Sequence, residues 1–123
     1  SVQIQKIKGE VVPILGNPAE LREVLVNLFV NAMDALPRGG TITFRTGMEK
    51  GYVFIEVGDN GIGIPKSIQQ RIFDPFFTTK GIDRSGLGLS ISYGIIQRHR
   101  GEIWAESHEG MGTTITVRLP IVE

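Results

Sequence analysis

A chain of 123 residues with 41% hydrophobic and 21% charged side chains can build one packed core, and its length is near the commonest domain size. Thirteen basic residues balance thirteen acidic ones, which excludes the basic stripe that nucleic-acid binding needs. No cysteine is present, so a disulfide scaffold, a thiolate metal site and a cysteine nucleophile are excluded; the composition suits a reducing, cytoplasmic setting.

The longest apolar run, Val24 to Val30, is broken by Asn27 and falls short of a membrane span, so no membrane contact is expected of this domain. Ser1-Val2-Gln3-Ile4 lacks the charged and apolar regions of a signal peptide. Sixteen glycines are well above the usual share of about 7%, and most fall between 58 and 112.

In chain order, Val2 to Ile7 alternates apolar and polar and predicts a strand, and Val11 to Leu15 a second, closed by Gly16. Asn17-Pro18-Ala19-Glu20 predicts a helix start, with Asn17 as cap, Pro18 in the first turn and Glu20 completing a capping box. Leu21, Val24, Leu25, Leu28, Ala32 and Ala35 then recur at helical steps until Pro37-Arg38-Gly39-Gly40. Thr41 to Thr46 and Tyr52 to Val57 predict an antiparallel hairpin.

Gly58 to Pro65 reads as a glycine loop, Pro65 to Ile72 as a short helix and Phe73 to Gly86 as a loop without period. Leu87 to Arg100 predicts a helix stopped by Gly101, and Glu102 to Ser107 and Thr113 to Leu119 a last strand pair. The order β-β-α-β-β-α-α-β-β predicts an α+β architecture, helices on one face of a largely antiparallel sheet, in a single domain spanning 1–123.

Four segments carry chemistry. Asn27 and Asn31 lie one helical turn apart on one face, with Glu20, Glu23 and Asp34 extending the stripe. Taken alone, the stripe is better explained as an ordinary solvated face, but asparagine is a mediocre helix former, and its amide oxygen can ligate a hard cation such as Mg²⁺. In Gly58-Asp59-Asn60-Gly61-Ile62-Gly63-Ile64-Pro65 the glycines let the backbone pass close to a flat ligand while Asp59 accepts from an exocyclic amine, such as that of adenine. The alternative there is a glycine turn capped by Asp59.

Ser85-Gly86-Leu87-Gly88-Leu89-Ser90 opens a helix whose free N–H groups attract phosphate, unless Ser85 simply caps it. It matches neither the P-loop, lacking Gly-Lys-Ser/Thr, nor the dinucleotide fingerprint, lacking the third glycine. Phe73-Asp74-Pro75-Phe76-Phe77-Thr78-Thr79-Lys80 either plugs the core with its aromatics or offers some to a partner. Lys80 can reach a phosphate when such a loop closes.

Together these segments resemble the N, G1, F, G2 and G3 boxes of the sensor histidine kinase catalytic domain, in order and over roughly Asn17 to Leu119. That family belongs to the ATP-binding superfamily of gyrase, the Hsp90 chaperones and the MutL repair proteins. The resemblance implies a Bergerat-type ATP-binding fold: a two-layer α+β sandwich with a mixed, largely antiparallel sheet of five or slightly more strands, and about three helices on one face. It implies that Asn31 coordinates Mg²⁺ bridging the ATP phosphates with support from Asn27. Asp59 then binds the adenine amino group in a pocket shaped by Gly61 and Gly63. Gly86, Leu87, Gly88 and Leu89 offer backbone N–H groups to phosphate, residues 74 to 85 form a lid, and Gly110, Gly112 and Thr113 match the last box near adenine.

Two positions depart from the family pattern: Arg84 replaces a glycine of the G2 box, and Asp34 stands where many members carry a lysine, a charge Lys80 can supply. Hydrolytic members of the superfamily place a general-base Glu one turn before the metal-binding Asn; here that residue is Asn27, whose amide cannot take a proton at neutral pH. Catalysis is therefore expected from Asn27, Asn31 and Lys80 as phosphotransfer to a histidine on a separate dimerisation/phosphoacceptor helical domain. A response regulator follows indirectly, and the full-length kinase is either membrane-anchored or soluble. The alternative is an ATP-hydrolysing conformational module of the gyrase or chaperone type. His99, near a helix end, reads as a partner of the last helical turn, and His108 in a tight hairpin is a poor acceptor.

Overall fold

Along Gly112–Pro120 (β5) the side chains of Thr113, Ile115, Val117 and Leu119 are buried, because alternate residues of a strand face the same side. The same alternation buries Ile103 in Glu102–His108 (β4), Val53 and Val57 in Tyr52–Asp59 (β3), and Ile42 in Gly40–Glu49 (β2). With Val2–Lys8 (β1) these strands form one five-stranded sheet in the order β1-β2-β3-β5-β4. β1 runs parallel to β2, and every other pairing is antiparallel. The computed structural model describes residues 2–8 (backbone alone from 5 to 8), 16–74 and 88–121. The expected strand from Val11 to Leu15 lies outside them.

Two α-helices, Pro18–Asp34 (α1) and Gly88–Arg98 (α2), cover one face of the sheet. Val24, Leu28 and Ala32 of α1 and Ile95 and Ile96 of α2 join Ile42, Val57, Ile103, Ile115, Val117 and Leu119 in a single core. Burying each large aliphatic side chain there contributes about 1.5–3 kcal/mol. The short helix expected at Pro65 to Ile72 forms as a 3-10 helix, Lys66–Arg71. Among the described residues no helix is long and apolar enough to cross a membrane.

Asn17 caps α1 as expected, its side chain accepting from the Glu20 N–H at 3.1 Å. The capping box is not closed by Glu20. Its carboxylate pairs with Arg98 of α2, and the Asn17 N–H donates to His99 Nε2 at 3.0 Å instead. The start of α1 is thereby fastened to the end of α2. That end is a Schellman turn, with bonds from Gly101 to the Ile96 carbonyl and from Arg100 to that of Gln97. Its left-handed residue is Arg100 (φ 59°), not the predicted stop Gly101. Gly101 is required for a different reason: a Cβ there would sit 2.4 Å from the Arg118 carbonyl oxygen.

α1 has three faces rather than two. Val26, Val30 and Met33, 54%, 41% and 48% exposed, lie opposite the core and flank a groove of about 590 Å³ shared with Arg22, Leu25, Phe29 and Asp34. The sheet face away from the helices carries ion pairs, Arg45 with Glu56 and Arg118 with Glu102. Arg118 also stacks 4.3 Å above the Tyr52 ring, and the bonded Glu102 carboxylate raises its pKa above the ordinary value.

Candidate active site

Asn27 and Asn31 are half-buried neighbours on α1. The helical period that sends Val24, Leu28 and Ala32 into the core turns this pair toward the flank met by α2. Asn27 Nδ2 donates to the Gly88 carbonyl at 3.1 Å and to Ser92 Oγ at 3.3 Å. A carbonyl oxygen only accepts, so the amide nitrogen must face α2, which sets Asn27 Oδ1 on the other arm of the amide. A neutral, fixed amide oxygen with a second asparagine one turn on is a donor set that suits Mg²⁺ held together with phosphate oxygens.

Gly88 is the first residue of α2, where helical N–H groups lack partners within the helix and the dipole favours an anion. Among the described residues a Cβ on Gly88 would touch nothing closer than the Asn27 side chain at 3.7 Å, an ordinary contact. Packing against the described residues therefore does not demand glycine at this position. The Leu89 side chain packs against the core, so contact by this residue with a ligand falls to its backbone. Gly86, Leu87, Lys80, Arg84 and Ser85 lie outside the described residues, as does the expected lid beyond Asp74 with Phe76 and Phe77.

Asp59 ends β3, with Ile42 and Thr113 as its neighbours across the sheet. One carboxylate oxygen accepts the Gly61 N–H at 3.0 Å, an Asx turn that opens the glycine loop. The loop is then tied to protein at nearly every residue. Asn60 exchanges bonds with Thr41 of β2. Ile62 donates to the Ala35 carbonyl at the end of α1 and accepts from Gly110 of the β4–β5 turn. Ile64 donates to Ser107 Oγ at 2.8 Å, and Gln69 of the 3-10 helix bonds both the Ile64 and Ser107 carbonyls at 2.9 Å.

The loop glycines make their close approach to protein backbone. A Cβ on Gly61 would lie 2.0 Å from the Ala35 carbonyl oxygen, and one on Gly63 (φ 72°) 2.2 Å from that of His108. They hold the loop between the end of α1 and the β4–β5 turn. Gly112 (φ 111°) does the same from the other side, its Cβ position falling 2.1 Å from the Asp59 carbonyl oxygen. Thr113 beside it is buried, its hydroxyl 2.7 Å from Ser107 Oγ. The residues thus form two groups, Asn27, Asn31 and Gly88 between the helices and Asp59, Gly61, Gly63 and Thr113 around the loop. Ala35 connects them.

Four polar residues of this frame escape a reading by motif: Ser92, Ser107, Gln69 and Asn60. Two left a signal. Ser92 occupies an apolar position in the helical repeat of Leu89, Ile95 and Ile96, and Ser107 an inward position after Ile103 and Ala105. A small hydroxyl on a core face needs a polar partner. Both histidines are also accounted for. His99 uses both ring nitrogens, Nδ1 bonding the Ile95 carbonyl at 2.8 Å and Nε2 accepting from Asn17. His108 sits exposed at the end of β4.

Residues 16–123 match the family described as histidine kinase-, DNA gyrase B-, and HSP90-like ATPase. The chain is 43% identical to the sensor kinase CckA of Brucella abortus over 88% of its own length and 13% of that protein. It spans between 13% and 19% of the length of the first curated relatives it matches. Among solved structures it is similar to the nucleotide-free catalytic domain of the histidine kinase ThkA, with 32% identity and a TM-score of 0.83 over 97% of this chain and 80% of that one. It is also similar to full-length ShkA in complex with AMPPNP, with 26% identity and a TM-score of 0.86 over 97% of this chain and 25% of that one.

Proposed function

The chain belongs to the histidine kinase-, DNA gyrase B- and HSP90-like ATPase family, and from that premise we propose that it is the catalytic domain of a sensor histidine kinase. It binds Mg-ATP and transfers the γ-phosphate to a histidine on a separate dimerisation/phosphoacceptor helical domain, from which a response regulator is served. Asn27 carries this reading. A hydrolytic relative needs a carboxylate here to deprotonate water, whereas this amide accepts no proton at neutral pH and is already committed through nitrogen to Gly88 and Ser92.

Phosphoryl transfer requires little of the protein beyond positioning and charge stabilisation. Asn31 and Asn27 present amide oxygens to the metal, and Mg²⁺ when bound supplies charge neutralisation across the phosphates. The backbone N–H groups at the start of α2, with Gly86, Leu87, Gly88 and Leu89, hold phosphate oxygens, and Lys80 adds a positive charge. Asp59 accepts from the adenine amino group, and the pinned loop of Gly61 and Gly63 with Thr113 keeps that carboxylate in place. The similarity to ShkA, solved with AMPPNP, supports nucleotide binding at this fold.

Steady-state ATP turnover tests the reading. The chain alone should hydrolyse ATP negligibly while binding it; sustained hydrolysis that is lost in Asn27→Ala would favour the gyrase or chaperone type of module.

A further inference from the structure

We propose that Ser92 is a positioning residue for the metal–phosphate site, acting through Asn27; the inference rests on the reading of Asn27 given above. Ser92 is fully buried on α2, and nothing else in that helix face is polar: Leu89, Ile95 and Ile96 all pack into the core. Its hydroxyl donates to the Gly88 carbonyl at 2.9 Å and accepts from Asn27 Nδ2 at 3.3 Å. The Gly88 carbonyl receives Asn27 Nδ2 as well, at 3.1 Å.

These three bonds form a closed triangle. The Ser92 hydrogen is directed at Gly88, so the oxygen faces Asn27 as an acceptor. The Asn27 nitrogen is thus directed at both acceptors together. An asparagine amide can otherwise rotate by half a turn about its last bond and exchange nitrogen for oxygen at little cost in shape. In the flipped form Oδ1 would face the Gly88 carbonyl, which cannot donate, and Ser92 could meet it only by giving up its own bond to that carbonyl. The Gly88 carbonyl sets the nitrogen toward α2, and the Ser92 hydroxyl, with its hydrogen on that carbonyl, adds a second acceptor that holds the amide there and leaves Oδ1 available to a cation. Such preorganisation lowers the cost of binding at the moment the ligand arrives.

The test compares Ser92→Ala with Asn27→Ala and wild type by calorimetry, titrating ADP in excess EDTA and ADP with Mg²⁺. Ser92→Ala should leave metal-free ADP affinity unchanged and weaken the Mg²⁺-dependent affinity about threefold to tenfold, the loss of one neutral hydrogen bond. Ser92→Thr, which retains the hydroxyl, should behave as wild type. An unchanged Mg²⁺ dependence in a folded Ser92→Ala protein would overturn the role of Ser92 if Asn27→Ala has lost that dependence. If Asn27→Ala retains it too, the reading of Asn27 itself fails. A readout free of substitutions comes from the wild-type side-chain amide of Asn27 by NMR. The Nδ2 proton engaged with Gly88 and Ser92 should exchange slowly with water before any ligand is added, and rapid exchange of both protons would contradict the proposal whatever the variants do.

Discussion

Asn27 on α1 donates its side-chain nitrogen to the backbone carbonyl of Gly88, the first residue of α2, across 3.1 Å. The residue to which we assign the choice between kinase and hydrolase chemistry is therefore also a bracket between the two helices that frame the proposed phosphate end of the site. On that reading its functional and structural roles use opposite ends of one amide.

At the adenine end the same division of labour gives a direct prediction. Asp59→Asn keeps the size of the side chain and an acceptor for the Gly61 N–H, but removes the charge that attracts an amino group. Adenine-nucleotide affinity should fall by more than about tenfold. Calorimetry with ADP measures this, and an unchanged affinity removes Asp59 from the adenine site.

Asn31→Ala should abolish the Mg²⁺-dependent part of nucleotide binding. The substitution is helix-favouring and lies outside the core cluster. A preserved metal dependence would show that Asn31 is not a ligand.

The glycines separate into two kinds, and alanine scanning with thermal unfolding distinguishes them. Gly63→Ala forces a Cβ into the His108 carbonyl at φ 72° and should cost at least about 1–3 kcal/mol of stability. Among the described residues Gly88→Ala meets only ordinary contact with Asn27, so stability should hold or rise slightly while nucleotide affinity falls. A stable Gly63→Ala or an unstable Gly88→Ala would reverse the assignment.

Much of this arrangement is legible from sequence. The strand alternation of β5 and the 3.6-residue period of α1 specify their buried faces, since each follows from backbone geometry alone. Asn17 as a cap is local chemistry and equally readable. What escaped depends on pairs distant in sequence. Glu20 is diverted from a capping box because Arg98, 78 residues away, competes for its carboxylate. Gly61 reads as room for a ligand, yet its space is taken by Ala35, which no local motif announces. Arg100 adopts the left-handed cap because Gly101 is already needed against Arg118.

The core supplies a stability benchmark. Leu28 is fully buried at the centre of α1, so Leu28→Ala should cost about 2–5 kcal/mol. Arg98→Ala breaks an exposed ion pair with Glu20 and should cost no more than roughly 1 kcal/mol. Chemical denaturation of both variants checks the contrast, and equal losses would contradict it.

On the proposed function, the site delivers phosphate to a histidine rather than to water. The most direct measurement incubates the chain with Mg²⁺ and γ-labelled ATP, with and without an added dimerisation/phosphoacceptor domain of a sensor histidine kinase. Acid-labile, base-stable label should appear on the added domain and be lost in Asn31→Ala, with little phosphate released in the absence of that domain. Rapid phosphate release without the acceptor, and none on the acceptor when it is present, would contradict it.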